Sequence, residues 1–314
     1  MRAPAWICLA ATLTLAAPTL ARAPHGKAGP ADLSGDWTNY TVTPIERPAA
    51  FKGPTATPAE AAAFETSSVR DFDAAAIDTI GGRQSEWFEY GGPMIRLDGR
   101  IRTSIVVEPA DGRLPYSAAG AARLEAAMQT RISGFDNPED RTSGERCLMG
   151  GSGASSVPML PHWDNSHYQF VQTPGYLVIR VENGAAPRII RTGVRGHLPA
   201  SIRPLMGDSL GHWEGKTLVV ETTNLNPADA YKSPQRVYIS PEARIVERFT
   251  RLSPTAIRYA FTVEDPAVFA RPWTGELLFT ADKGKIYEFA CHEGNYSLPG
   301  IMAGARHEEQ LAAK

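Results

Sequence analysis

The chain has 314 residues, with 32 Lys and Arg against 34 Asp and Glu, a formal net charge of −2. That near-balance argues against a nucleic-acid partner, because phosphate-backbone binding needs a clear basic excess. Apolar residues make up 43% and charged residues 21%, a mix that folds around a core rather than staying disordered.

Arg2 is the only charge before an apolar run from Ala5 to Leu20, and Ala21-Arg22-Ala23 places small residues around a cleavage point. This order predicts a secretory signal peptide over residues 1–23 and a periplasmic or secreted mature chain. No later stretch reaches the ~18 consecutive apolar residues of a spanning helix, so no membrane span is expected after cleavage. Of the three cysteines, Cys8 lies in the signal and leaves Cys147 and Cys291. An exported chain with an even count holds either a disulfide or two buried thiols, and the compartment favours the disulfide. Closing so long a loop would contribute about 4–5 kcal/mol at most.

In chain order, the fold begins near Asp32 and runs into Gly35-Asp36-Trp37. Thr57-Pro58-Ala59-Glu60 predicts a capped helix start, with a helix over 59–69. Asp98-Gly99 between the apolar runs 94–97 and 101–107 predicts a hairpin. Ser117 opens a second predicted helix over 118–131. Residues 134–163 read as a connection punctuated by Gly, Ser and Pro. From Tyr168 onward the pattern is strand after strand: 168–172, 176–182, 188–192, 217–222, 236–239, 244–251, 256–263, 275–280 and 286–291. Ile245, Glu247 and Phe249 share one face of their strand, and Tyr259, Phe261 and Val263 share one face of theirs. Short strands joined by turns such as Thr173-Pro174-Gly175 and Ser253-Pro254-Thr255 predict a mainly β fold. The expected form is an antiparallel meander that closes to remove its edges. The expected organisation is a signal (1–23), a first strand with helical and loop insertions (24–160) and an antiparallel barrel region (161–314). The last two are expected to form one folded unit.

Gly35-Asp36-Trp37 ahead of a meander resembles the lipocalin-like barrels, whose G-x-W motif lays the Trp across the barrel floor. Gly144-Glu145-Arg146-Cys147-Leu148, Gly207-Asp208-Ser209 with Trp213-Glu214-Gly215, Val246–Arg251, Thr262–Pro266, Arg271–Thr274 and Tyr287–Tyr296 resemble segments of a large, uncharacterised family of exported bacterial proteins. That second resemblance implies a shared fold and export, and lends no reaction. Where that family shows an Asn-rich run, this chain has His162-Trp163-Asp164-Asn165-Ser166-His167.

Several groups could carry chemistry. Gly207-Asp208-Ser209-Leu210 matches the tetrapeptide of GDSL hydrolases, but the Asp-x-x-His partner, Asp164 to His167, precedes the Ser instead of following it. His162, Asp164 and His167 could begin a metal site, but local hydrogen bonding is the plainer reading and no metal is assigned. His292 beside Glu293 is a candidate acid/base pair, with His197 or Asp208 as the second catalytic group. Arg188, Arg191, Arg195 and Arg203 could bind an anionic ligand group. Trp37, Trp163, Tyr168, Trp213 and Arg203 are the candidate ligand-binding residues of an aromatic cavity. No cofactor motif is present and none is expected. Three functions follow as expectations. The first is an exported protein that binds a small apolar or aromatic molecule in the barrel. The second is a cofactor-free lyase, isomerase, hydratase or hydrolase using the same cavity. The third is a structural envelope protein.

Overall fold

A computed structural model describes residues 31–75, 92–149, 155–162, 166–184, 186–232 and 235–313. Residues 1–23, where a signal is predicted, and Trp163 and Asp164 lie outside the described residues. The first half contains β1 (Gly35–Thr38), β2 (Thr55–Ala56), α1 (Pro58–Ala75), β3 (Arg96–Leu97), β4 (Arg100–Arg102), β5 (Val106–Glu108) and α2 (Ala118–Ser133). The second half contains β6 (His167–Thr173), β7 (Tyr176–Val181), β8 (Arg188–Arg191), β9 (Asp208–Glu214), β10 (Thr217–Thr223), β11 (Tyr231–Lys232), β12 (Val237–Tyr238), β13 (Arg244–Ser253), β14 (Ala256–Glu264), β15 (Trp273–Ala281) and α3 (Ser297–Ala312).

Nine strands close into a barrel in the order β1-β6-β7-β8-β9-β10-β13-β14-β15, and β15 pairs back onto β1. Closure leaves no free edge in the nine-strand ring, and the short β5 adds onto β15 beside it through Gly275–Val106 and Thr274–Glu108. The fold is therefore mainly β, a lipocalin-like barrel with helical insertions. All neighbours within the ring are antiparallel except β8 and β9, which pair in parallel through Ile190–Ser209 and Arg191–Leu210. A parallel pair needs a long return connection. Residues 192–207 supply it, crossing the outer wall.

The two ends differ. The 173–176, 214–217 and 253–256 hairpins gather at one end, where β6, β9 and β13 finish. The long connections 182–187, 224–243 and 265–272 gather at the other. Alternation decides what faces inward. In β14, Ile257, Tyr259, Phe261 and Val263 are buried and the residues between them are not. In β15, Gly275 stands where any Cβ would sit 2.3 Å from the Phe261 ring, so glycine makes room for that ring.

The caps read from sequence form as expected. The Thr57 amide donates to Glu60 Oε2 at 2.8 Å, and the Glu60 amide donates to Thr57 Oγ1 at 3.3 Å. Ser117 Oγ accepts from the Gly120 amide at 3.0 Å. Asp98 and Gly99 both take positive φ, the conformation a tight hairpin turn requires. Three expectations need correction. β9 was not expected, residues 286–291 form no strand, and the C-terminal helix α3 was not foreseen. Cys147 and Cys291 form a disulfide with Cα atoms 5.6 Å apart. It fixes the segment before α3 to the turn at 142–149. Among the described residues no helix is long and apolar enough to cross a membrane.

Candidate functional site

The barrel interior is aromatic. Trp37, Tyr168, Phe170, Phe249, Tyr259, Phe261, Trp273 and Phe279 are all under 2% exposed. They touch edge to face or tilted, with centroids 5.1 Å apart for Tyr168–Phe279, 4.9 Å for Phe249–Tyr259 and 5.5 Å for Phe261–Trp273. Such geometries are favourable beyond the area buried.

Charge lies among these rings. Arg188 and Glu247 are 1% and 0% exposed and form a two-pronged ion pair, with Nη1 donating to Oε1 at 2.8 Å. Arg188 Nη2 also donates to Thr222 Oγ1 at 2.9 Å and Ser209 Oγ at 3.1 Å. Tyr259 donates its hydroxyl to Glu247 Oε1 at 2.6 Å. Burial alone would lower the Arg188 pKa, but the Glu247 carboxylate outweighs it and the guanidinium is held above its ordinary value. Burial, then the adjacent Glu247 charge, pushes the Tyr259 hydroxyl well above its ordinary range. Strand alternation explains why the sequence divides as it does. Arg188 points inward from β8, whereas Arg191, three residues on, points outward.

At the end where β1 finishes and β6 begins, the chain itself enters the barrel. Residues 155–160 have no regular strand or helix, yet all six are buried. Met159 is held by side chains of the barrel and its rim. The Met159 amide donates to the Tyr259 hydroxyl at 3.0 Å, and the Met159 carbonyl accepts from Asn39 Nδ2 at 3.0 Å. Gln235 Nε2 donates to the Pro161 carbonyl. The buried polar atoms without a partner among the described residues include Asn39 Oδ1, Gln235 Oε1 and Trp273 Nε1. Unsatisfied buried groups are costly and uncommon.

The residues selected from sequence are distributed differently. Trp37 lies at the hairpin end, 1% exposed, donating Nε1 to the Leu33 carbonyl at 3.1 Å under the Arg251 guanidinium. Tyr168 is wholly buried beside it in the ring cluster. Trp213 is half-buried against the core. Arg203 spends its guanidinium on the Leu225 and Pro241 carbonyls, at 3.0 and 2.6 Å, and so ties the crossover connection down. Trp163 lies outside the described residues.

His197 and Asp208 do meet, but on the outer wall. Nδ1 lies 2.8 Å from Asp208 Oδ2, and Nε2 lies 3.0 Å from Glu221 Oε1. Asp208 also pairs with Arg191 at 2.7 Å, and Glu221 with Arg244, which pairs with Glu264 at 3.0 Å. This ladder of ion pairs and hydrogen bonds crosses β8, β9, β10, β13 and β14 and clamps residues 192–207. Burial opposes ionisation of Asp208, but the Leu198 amide, His197 and Arg191 overcome it and its pKa falls below the ordinary value. Glu221 is lowered in the same way by Arg244 and His197 against its partial burial. Ser209 points into the barrel while Asp208 points out, so no Ser–His–Asp relay forms across them.

His292 and Glu293 sit together on an exposed turn just after the disulfide. His167, at the start of β6, bonds Asp282 at the end of β15. Among the described residues no cluster of three or more His, Cys, Asp or Glu is placed to hold a metal ion. A cleft of about 460 Å³ lies outside the barrel, between the outer faces of β1 and β15 and residues 92–96.

The inward charges were missed as a site. The available signal was Glu247 lying on the same face as Ile245 and Phe249. Comparison with known protein families, curated proteins and solved structures gives no match.

Proposed function

We propose that this is an exported protein, periplasmic or secreted, that holds a small apolar or aromatic molecule in the barrel lumen, as its likeness to lipocalin-like barrels suggests. One observation carries the reading. A closed barrel lined by aromatic rings has one end stopped by an irregular chain segment, with an inward-facing Arg–Glu–Tyr cluster bonded to that segment. Aromatic walls with a few placed polar groups are the usual make-up of a small-molecule site. A barrel serving only as an envelope scaffold gains little from inward charges, since apolar residues of equal volume are commonly as stabilising as a buried ion pair.

The test is native mass spectrometry of the mature chain purified from the periplasm, with fluorescence titration by N-phenyl-1-naphthylamine. A retained organic mass, or saturable probe binding that changes tryptophan emission, supports the reading. A bare chain that also ignores the probe overturns it.

A cofactor-free enzyme in the same lumen has one observation in its favour. The Tyr259 hydroxyl, 2.6 Å from the Glu247 carboxylate and backed by Arg188, has the spacing of a proton-transfer pair. On that reading the acid/base groups are Tyr259 and Glu247. Conversion of a bound ligand by the wild type but not by Glu247→Gln would favour it over simple binding.

A further inference from the structure

We infer that His197 is a pH-sensitive latch: its imidazolium fastens the loop 193–197 to the outer wall, and loss of the ring's second proton releases that loop. Each ring nitrogen of His197 faces a carboxylate oxygen from a different strand. Nδ1 lies 2.8 Å from Asp208 Oδ2 on β9, and Nε2 lies 3.0 Å from Glu221 Oε1 on β10. A neutral imidazole carries one N–H and one lone pair, whereas the imidazolium donates from both nitrogens. Partial burial opposes ionisation of both carboxyls, but the Leu198 amide, His197 and Arg191 hold Asp208 below its ordinary value, and Arg244 and His197 do the same for Glu221. Above about pH 4 both are therefore acceptors only. The two bonds exist together only while the ring carries both protons. A neutral ring keeps one of them and turns a lone pair toward the other carboxylate.

The surrounding charges let the ring leave without stranding a partner. Asp208 is also held by Arg191 of β8, and Glu221 by Arg244 of β13, which pairs in turn with Glu264 of β14. Arg195 is exposed on the loop itself, Arg203 is turned to backbone carbonyls farther along, and His212 of β9 faces Glu214 at the hairpin end. Each carboxylate thus keeps an arginine when the ring lets go, and the wall stays paired while the loop is freed. The loop is tied separately at both ends. Upstream, the Thr192 amide donates to the Gly175 carbonyl at 2.7 Å. Downstream, Asn224 Nδ2 donates to the Leu198 and Pro199 carbonyls at 3.0 and 3.1 Å. Between these ties residues 193–196 are exposed, and the His197 ring holds the stretch to the wall. Gly196 has a φ of 86°, and glycine at both 193 and 196 lets the backbone swing without a side-chain penalty.

The test is cleavage by trypsin after Arg195, which requires the chain around it to leave the wall. It is followed by mass spectrometry in the mature wild type and in His197→Gln, at about pH 6 and about pH 8.5, the two sides of the imidazole range. Each rate is scaled to that of a free peptide of sequence 190–200 at the same pH. The wild type is expected to be cut about tenfold or more faster at the higher pH, through loss of one charge-assisted bond. His197→Gln is expected to be cut at the fast rate at both. Equal scaled rates at the two pH values in the wild type, or the same step in His197→Gln, overturn the inference. Cuts within β13 and β14 should stay absent throughout, and their appearance together with the loop cut would mean general unfolding and overturn it as well. Should His197→Gln not fold, nitrogen-15 NMR of the wild-type ring still decides. Both ring nitrogens should carry protons at the lower pH, and the loss of one should coincide with the step in cleavage. A step without that loss overturns the inference.

Discussion

Arg188 and Glu247 face each other across the lumen with two strands, β9 and β10, between their own. Ser209 and Thr222, from those two strands, also accept from the Arg188 guanidinium. The pair therefore ties four consecutive strands together from inside, a role that ladder hydrogen bonds between neighbours cannot fill.

This arrangement predicts a marked non-additivity. Glu247→Ala or Arg188→Ala strands one buried charge, and each is expected to cost about 3–5 kcal/mol. Replacing both at once with Arg188→Met and Glu247→Leu removes the stranded charge and should cost less than either single change. Urea unfolding of the three variants checks it. A double variant as unstable as the sum of the two single changes would contradict the assignment.

The outer ladder predicts an acid limb. Asp208 and Glu221 have folded-state pKa values below their ordinary ones. Depressed carboxylates contribute stability that is present above the unfolded value, about 4, and lost as pH falls through the folded value. The protein should lose stability below about pH 4, and Asp208→Asn should both lower stability at neutral pH and flatten that limb. Hydrogen exchange of residues 192–207 should quicken in the same variant, because Asp208 accepts from the Leu198 amide and His197. An unchanged acid slope would mean that the ladder is decorative.

Most of the barrel was legible because its strands alternate. β6, β7, β10, β13, β14 and β15 bury every second residue over most of their length, and their turns carry the Pro-Gly and Gly-Lys signals that end strands. β9 was hidden for a physical reason. Its inward positions include Ser209 and Gly211, the first reserved for Arg188 and the second packed on Ile190 and Leu218. A strand that lines a polar part of the lumen therefore lacks the apolar period. α3 was hidden by Pro299, Gly300 and Gly304, which read as breakers, and it buries no residue that would mark a periodic face. The pairing of His197 with Asp208 was legible as residue types, but which side of the wall they occupy depended on the parallel β8–β9 pairing.

The disulfide makes a separable prediction. Among the described residues, α3 and the chain before it are tied to the rest of the molecule by side-chain bonds and one covalent link, with no residue of α3 buried. These include Asn295 Nδ2 to the Glu145 carbonyl at 2.8 Å, Arg306 to the Asp136 carbonyl at 3.1 Å, and the Cys147–Cys291 bond. Cys291→Ser should lower stability by about 2–5 kcal/mol and raise exchange across 286–313. The amides of β13 and β14 should stay protected under native conditions. Loss of protection in the barrel strands as well would show that the C-terminal segment is integral to the barrel.

At the hairpin end, Arg251 closes the ring over Trp37. Its guanidinium lies 4.6 Å from the indole centroid and donates to the carbonyls of Asp32, Ser253 and Pro254 at 3.0, 2.7 and 2.9 Å. It thus joins the start of β1 to the β13–β14 turn, while β1 itself joins β6 to β15. Arg251→Ala removes a cation–π contact and the only side chain among the described residues that bridges these carbonyls, at an expected cost of about 1–2 kcal/mol. Arg251→Lys keeps the charge but not the planar fork, and should recover less than half of that loss. Trp37 is otherwise wholly enclosed, so its emission should shift to the red only if the floor loosens. Full stability and unshifted emission in Arg251→Ala would show that Leu33 and the β1 ladders close this end without it.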